Sequence, residues 1–201
     1  MPHTDADAVA LARGGDSEAF RALVERHSRA VYRLAHRMTG SPHDAEDVVQ
    51  ETFLKAYRQL GRFEARADFR TWIHRIAVNC AIDHIRARRH RESGRDPADL
   101  DSGVLGEVAL STTPLPDRQL LSSEIGDRVA DTMARLTPLE RAAFTLRHLE
   151  GRTLDEICTA LGLKQEAAKH SVFRAVKKMR AALEPLLDVH RARSATRVAG
   201  Q

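Results

Sequence analysis

The strongest constraint on the fold of this chain is the spacing of apolar residues between positions 44 and 60. Apolar or small side chains recur there every three or four residues, which is the pattern of a helix that buries one face. Ser41 and Pro42 precede the segment as an N-cap residue and a first-turn proline, and Gly61 follows its last apolar residue. The segment therefore predicts an amphipathic helix with defined ends.

Helical spacing occurs in two parts of the chain, and a different composition separates them. The intervening residues are rich in Asp, Ser and Pro, and aromatic residues, which strands favour, make up only 4% of the sequence. The sequence therefore predicts an all-α protein with two small helical domains, at residues 16–93 and 122–187. A flexible acidic linker at residues 94–121 is expected to join them, and residues 188–201 are expected to form a disordered tail.

Several classes of protein are disfavoured by what the sequence lacks. It shows no basic head and apolar core of a signal peptide, and no apolar run approaches the roughly 18 residues that span a bilayer. Cys80 and Cys158 are the only cysteines and form no disulfide or metal-binding pattern. Neither the spacing of the histidines nor any glycine-containing motif indicates catalysis. We therefore expect a cytoplasmic protein without membrane insertion that is not an enzyme and has no metal, cofactor or small-molecule substrate.

The C-terminal block has the pattern of a helix-turn-helix. Thr153 can cap a short helix, Gly162 supplies a tight turn, and a helix with one apolar and one cationic face begins near Gln165. Such a helix fits the major groove, where cations contact phosphates and polar side chains contact base edges. An ordinary helical hairpin with a solvated basic face would show the same pattern. The candidate DNA-binding residues are Gln165, Lys169, His170, Arg174, Lys177 and Lys178.

A second cationic segment extends from Lys55 to Arg95, where basic residues outnumber acidic ones and aromatic residues are interleaved with them. Cations that follow a phosphate backbone, combined with rings on which bases stack, suit single-stranded or melted DNA. The amide of Asn79 could contact the edge of an unpaired base. Trp72 fits a core position better than a stacking platform, whereas Phe63 is expected to be partly exposed. The candidate DNA-binding residues here are Phe63, Arg66, Arg75, Asn79, Arg86 and Arg89.

The third candidate surface is the polar face of the helix predicted at residues 44–60. Acidic side chains cluster there, and no basic residue follows Ser41 before Lys55 except His43. The helix macrodipole accounts for acids in the first turn, whereas a basic protein partner would also account for later acids and for an exposed Leu54. Both interpretations fit these residues. The candidate partner-binding residues are Asp44, Asp47, Gln50, Glu51 and Leu54.

Together, these segments resemble the extracytoplasmic-function (ECF) sigma factors of the sigma-70 family. Residues 44–57 (DAEDVVQETFLKAY) resemble the helix with which these factors dock on the β′ subunit of RNA polymerase. Residues 69–79 (FRTWIHRIAVN) resemble their promoter-melting helix. Residues 153–157 (TLDEI), with Lys169, residues 173–175 (FRA) and residues 177–178 (KK), resemble their reader of the minus-thirty-five element. The resemblance extends from Phe20 to about Leu187 in the order and spacing of the family.

The resemblance implies that the chain is an alternative sigma factor. Its partners would be core RNA polymerase, through the β′ clamp helices and the β flap, promoter DNA and an anti-sigma factor. Leu54 and its polar neighbours Asp47, Gln50 and Glu51 would bind polymerase. Asn79 would capture a flipped base of the minus-ten element while nearby arginines follow the strand. The acidic linker would pass through polymerase toward the RNA exit channel.

One stretch departs from the family pattern. Where the family usually has Gly-Thr-Val-Lys-Ser-Arg at the start of the recognition helix, residues 166–171 are Glu-Ala-Ala-Lys-His-Ser. The difference removes a Thr that would cap the helix or contact a phosphate, and an Arg that would supply a cation. Glu166 would repel phosphate unless it accepts a hydrogen bond from a cytosine amine. We therefore expect an unusual or weaker minus-thirty-five preference.

Two other functions compete with this interpretation. A stand-alone helix-turn-helix regulator, with a sensor or dimerisation domain as its first block, leaves Leu54 and the arginine-rich aromatic segment unexplained. A nucleic-acid-processing enzyme would need a metal or nucleophile constellation, which the sequence does not show.

Overall fold

The computed structural model describes residues 4–63, 68–93 and 116–198, and every regular element in these ranges is helical. The predicted all-α class is confirmed. A 3-10 turn (Leu60–Arg62) follows the third helix and a π-helical turn (Thr145–Leu149) continues the sixth. Among the described helices, none combines the length and apolarity needed to cross a membrane. The helices are α1 (Asp5–Arg13), α2 (Ser17–Thr39), α3 (Pro42–Gln59), α4 (Phe69–Ser93), α5 (Pro116–Arg135), α6 (Pro138–Phe144), α7 (Leu154–Leu161) and α8 (Gln165–Val198).

Helices α2, α3 and α4 form the core of the first domain, and α1 packs against α2. Gly40 ends α2 in the left-handed conformation, with a φ of 75°, which a residue without a Cβ adopts easily. Ser41 then caps α3, because its Oγ accepts a hydrogen bond from the Asp44 backbone at 3.3 Å. The short turn brings the apolar faces of α2 and α3 together, and Leu34 and Val48 are buried between the helices.

Helices α5 to α8 form the second domain. Thr137 and Thr153 head two capping boxes, in which their backbone amides donate to Glu140 at 3.0 Å and to Glu156 at 2.8 Å. Gly162 ends α7 in the left-handed conformation and leads into α8. The pair α7 and α8 is the predicted helix-turn-helix.

The two domains contact each other through α4, α6 and α7. Arg141 of α6 is buried, and its Nη1 donates to the Met38 carbonyl near the end of α2 at 2.8 Å. Burial, together with the nearby charges of Arg89 and Arg88, lowers the pKa of Arg141 to about 10, so it remains charged at neutral pH. A buried cation bound to a helix-end carbonyl makes this contact specific, because losing the carbonyl would leave the charge without a partner.

Three boundaries differ from those predicted. The first domain includes α1, which lies ahead of residue 16 and is capped by Thr4. Helix α5 begins at Pro116, within the predicted linker, because proline suits the first helical turn; the linker residues 94–115 lie outside the described ranges. The predicted disordered tail is helical up to Val198, since residues 188–198 contain no Gly or Pro and include several good helix formers.

Candidate functional site

The polar face of α3 presents most of the predicted partner-binding residues to solvent. Asp47, Gln50, Glu51 and Leu54 are all exposed, and their spacing of three, one and three residues places them on one side of the helix. Leu54 is 44% exposed although it lies in a helix that buries other apolar side chains. Lys55 lies 3.4 Å from Glu51 and offsets part of the negative charge. The surface therefore combines acidic groups with one apolar side chain.

Asp44, the remaining predicted residue, is bound within the chain. Its Oδ2 accepts a hydrogen bond from Arg88 at 2.7 Å, and its Oδ1 lies 3.1 Å from Nε2 of His84. Burial disfavours the charged carboxylate, but the contacts with His84 and Arg88 outweigh it and lower the pKa of Asp44. Asp44, Asp47 and His84 offer possible metal-ligand atoms within 4.8 Å of one another. Because Arg88 already binds one Asp44 oxygen and His84 lies beside the other, the group is better described as a polar network that joins α3 to α4.

Tyr57 extends the exposed face of α3 and was missed by sequence reasoning. It follows Leu54 by three residues and is 56% exposed, with its ring edge-on to Phe20 at a centroid distance of 5.0 Å. Its position in the apolar spacing of the helix predicts a core residue. The apolar spacing alone does not distinguish a buried tyrosine from a tyrosine at the edge of the buried face.

One face of α4 carries three of the residues predicted to contact melted DNA. Arg75, Asn79 and Arg86 are exposed and follow one another at intervals of four and seven residues, which places them along one side of the helix. On its other side, Ile73 and Val78 are completely buried in the first domain. The core therefore holds α4 firmly while its cationic side, with the amide of Asn79 at the centre, faces solvent.

The expected exposure of Phe63 is wrong. Phe63 is only 7% exposed, because its ring packs against Trp72 and Phe69 at centroid distances of 5.1 and 6.0 Å. Trp72, expected in the core, packs at its edge. Arg66 lies outside the described residues.

Arg89 faces the second domain instead of solvent. Its Nη2 donates to the carbonyls of Ala134 and Leu136, at 2.9 and 2.7 Å, at the end of α5. In this arrangement its guanidinium serves the contact between the domains. The sequence pattern of α4 could not reveal this, because the partner carbonyls lie 45 and 47 residues away along the chain.

Helix α8 presents all of its predicted DNA-binding residues to solvent. The buried side contains Ala168, Ser171, Ala175 and Met179, which hold the helix against the domain. Lys169 forms an exposed ion pair with Glu166 at 3.0 Å. The exposed residues are Gln165, Lys169, His170, Arg174, Lys177 and Lys178.

Phe173 is an apolar exception on this cationic face. It is 65% exposed, more than any other large apolar side chain of the described residues, and it directly precedes Arg174. Sequence reasoning missed it as a site residue, although an aromatic outside the apolar spacing of α8 was a usable signal. An exposed ring at this point can contact an apolar group in the major groove, such as the methyl group of thymine.

Comparison with known proteins gives matches over both domains. The model of Sigma-70 region 2 matches residues 23–91, and that of Sigma-70 region 4 matches residues 126–179. The RNA polymerase sigma-H factor of Pseudomonas aeruginosa is 35% identical over 184 residues, which cover 91% of this chain and 95% of that protein. The ECF RNA polymerase sigma-E factor of Escherichia coli is 35% identical over 190 residues, covering 92% and 96% of the two chains.

Two solved structures share this architecture. CnrH, in complex with the cytosolic domain of CnrY, has a TM-score of 0.59 and 28% identity, covering 90% of this chain and 97% of CnrH. The sigma factor RpoE of Bartonella quintana, in complex with the anti-sigma factor NepR, has a TM-score of 0.60 and covers 82% and 96% of the two chains. At 20% identity, the likeness to RpoE is one of fold. The two matched regions and the full-length relatives together show that this chain belongs to the ECF sigma factors of the sigma-70 family.

Proposed function

We propose that this sigma factor binds core RNA polymerase and directs it to promoters through separate contacts with the minus-ten and minus-thirty-five elements. The observation that carries the proposal is the presence of three different exposed surfaces on α3, α4 and α8. One mixed acidic and apolar surface suits a protein partner, and two cationic surfaces suit DNA. The factor binds and positions its partners, catalyses no reaction of its own and acts in the cytoplasm, where polymerase works.

The face of α3 is the proposed polymerase contact. Asp47, Gln50 and Glu51 would meet basic and polar groups of the β′ clamp helices, while Leu54 would be buried in the interface. Tyr57 extends this surface by one turn. An apolar centre within a polar rim is the usual composition of a protein interface. The second domain would contact the β flap.

The exposed side of α4 is the proposed minus-ten contact. Arg75 and Arg86 would follow the phosphates of the melted strand, and Asn79 between them would hydrogen-bond to an unpaired base. Phe63 would have to leave its contacts with Trp72 and Phe69 before it could stack on a base. Asn79 is therefore the central residue of this proposed site.

The exposed face of α8 is the proposed minus-thirty-five contact. Arg174 would bind guanine with two hydrogen bonds from its guanidinium, and Lys169 and Lys177 would contact phosphates. Phe173 would add an apolar contact with thymine. Glu166 lies near the start of α8 and pairs with Lys169, so the net positive charge at that end of the helix is reduced.

An anti-sigma factor is the proposed regulator. CnrH was solved with the cytosolic domain of CnrY, and RpoE of Bartonella quintana with the anti-sigma factor NepR. We propose that this chain is likewise held inactive by a partner that covers the α3 surface, so that polymerase cannot bind. The exposed Leu54 and Tyr57 give such a partner an apolar contact.

Transcription in vitro tests the proposed function. Purified chain would be added to bacterial core RNA polymerase lacking other sigma factors, with a pool of genomic promoter fragments as template. We expect defined transcripts that depend on the chain. A stand-alone regulator would bind DNA yet give no initiation with core polymerase, and that result would contradict the proposal.

A further inference from the structure

Glu140 connects the first helical turn of α6 to the recognition helix. It is only 2% exposed. Its Oε2 accepts hydrogen bonds from Nζ of Lys178 at 2.7 Å and from the Thr137 backbone at 3.0 Å. Its Oε1 lies 3.5 Å from Nε of Arg174. A single buried carboxylate therefore contacts two of the cations proposed to bind DNA.

The carboxylate of Glu140 is ionised in this setting. Burial favours the neutral acid, but hydrogen bonds from Lys178 and Thr137 and the charges of Lys178 and Arg174 outweigh it and lower the pKa of Glu140. Both cations remain about half exposed, with side-chain exposures of 58% for Arg174 and 48% for Lys178. They are thus held at their inner sides and open to solvent at their outer sides.

The position of the contact on Arg174 has a chemical consequence. The ion pair with Glu140, at 3.5 Å, meets the guanidinium at Nε and leaves its two terminal nitrogens for another partner. These nitrogens can form the fork that pairs with the O6 and N7 atoms of guanine. A free arginine side chain has several rotatable bonds and would lose conformational entropy on binding a base. Holding the side chain beforehand reduces that loss and favours one direction of approach.

We infer that Glu140 is a positioning residue for recognition of the minus-thirty-five element, acting through Arg174 and secondarily through Lys178. The inference rests on the proposed function and deepens it. It assigns part of the base discrimination of α8 to a buried residue on a different helix. An exposed and unpaired Arg174 would bind phosphates and bases with less selectivity.

A purely structural role predicts a different result, and Glu140→Gln separates the two. Glutamine also serves in a capping box, so the variant keeps the contact with Thr137 and the start of α6. It loses the charge that holds Arg174 and Lys178. Glu156→Gln is a matched control, because Glu156 occupies the same capping-box position on α7 but pairs with Arg152, at 3.0 Å, instead of with α8.

The test compares holoenzymes made from core polymerase and each full-length chain. The wild-type holoenzyme first selects promoters from a library with a randomised minus-thirty-five region, and the variants then bind the selected promoter and its single-base substitutions. For Glu140→Gln we expect discrimination at the bases nearest Arg174 to fall by about tenfold. Affinity for unrelated duplex DNA should stay constant or rise, since one negative charge is lost. Glu156→Gln should keep the wild-type preference.

Arg174→Ala completes the test. If Glu140 acts through Arg174, Glu140→Gln should cause little further loss of discrimination when Arg174 is already alanine. Equal weakening on all sequences, or an unchanged base preference in Glu140→Gln, would overturn the inference and leave the proposed function intact. Failure of the wild-type holoenzyme to select any sequence would instead overturn the proposed function.

Discussion

At the scale of single residues, Leu54 gives the most direct test of the proposed polymerase contact. Leu54→Asp should weaken binding to core polymerase by at least about tenfold, because it replaces a buried apolar contact with a desolvated charge. Folding should be unaffected, since Leu54 is already exposed in the free chain. Binding of labelled chain to core polymerase gives the measurement. Leu11→Asp is the control, because Leu11 on α1 is similarly exposed; wild-type affinity in Leu54→Asp would remove this residue from the interface.

Asn79 provides the corresponding test for the minus-ten element. Asn79→Ala should reduce the fraction of open promoter complexes by about tenfold, the value of one well-formed hydrogen bond, while closed complexes still form. Permanganate reactivity of unpaired thymines measures opening, and a gel-shift assay measures total binding. Asp83→Ala is the control, because Asp83 is exposed one turn after Asn79 on α4; this variant should open promoters as the wild type does. Normal thymine reactivity in Asn79→Ala would contradict the assigned role.

Sequence spacing correctly predicted which candidate residues lie on exposed helix faces and failed where a distant segment covers them. Leu54, Asn79 and Arg174 are exposed as expected, because each falls opposite an apolar spacing. Phe63 and Arg89 are not exposed as expected. Aromatic side chains cover Phe63, and carbonyls of the second domain bind Arg89. Such contacts depend on tertiary packing, which the period of a helix does not encode.

At the scale of helices, capping residues predicted where helices begin more accurately than composition predicted how far helices extend. The cap at Thr153 occurs as predicted, and Thr137 heads a second capping box of the same kind, since each depends on residues three positions apart. Helices α5 and α8 extend beyond the predicted domain bounds, because the polar composition at those ends predicts a linker and a tail. The sequence predicts a local hydrogen-bond pattern such as a cap. It does not predict where a helix ends within a solvent-exposed polar stretch.

The packing of α4 against α7 predicts acid sensitivity. His74 on α4 is 4% exposed, and its Nδ1 lies 3.4 Å from Arg152, which precedes α7. Burial, followed by the charges of Arg152 and Arg70, lowers the pKa of His74 from 6.5 to about 4. Because the folded pKa lies below the unfolded one, the stability that neutral His74 confers is present above about pH 6.5 and is lost as the pH falls toward 4.

Urea unfolding at two pH values measures this effect. Between pH 7.5 and 5, the titration of His74 should lower the free energy of unfolding by about 2 kcal/mol. In His74→Gln this part of the acid-induced decrease should be absent. Glutamine stays neutral and can still accept a hydrogen bond from Arg152. His43→Gln, at an exposed position, should retain the wild-type pH dependence. An equal acid-induced loss in His74→Gln and wild type would show that His74 does not protonate on unfolding.

At the scale of the whole molecule, the two domains contact each other through a helix that the proposed function needs to be accessible. Arg89 on α4, the helix proposed to contact the minus-ten element, is bound by carbonyls of the second domain, and Arg141 is buried against Met38. Reading two promoter elements at once requires the domains to sit apart on the DNA. We therefore predict that this closed arrangement of the free factor opens when polymerase and promoter bind.

The ion pair between Arg37 of α2 and Glu150 of the second domain tests whether this closed form is populated in solution. Arg37→Glu should place two acids together and shift the closed-to-open ratio by at least about tenfold. The pair is only partly exposed, with Glu150 largely buried, so it contributes at least the roughly 1 kcal/mol of an exposed pair, and repulsion adds to the loss. Small-angle X-ray scattering should show a larger radius of gyration. Arg33→Glu, one turn earlier on α2, is the charge-matched control, and Arg37→Glu combined with Glu150→Arg should restore compactness. If the wild-type chain is already extended and Arg37→Glu leaves its dimensions unchanged, the domains do not associate in the free factor, and access to Arg89 is then limited only by external partners.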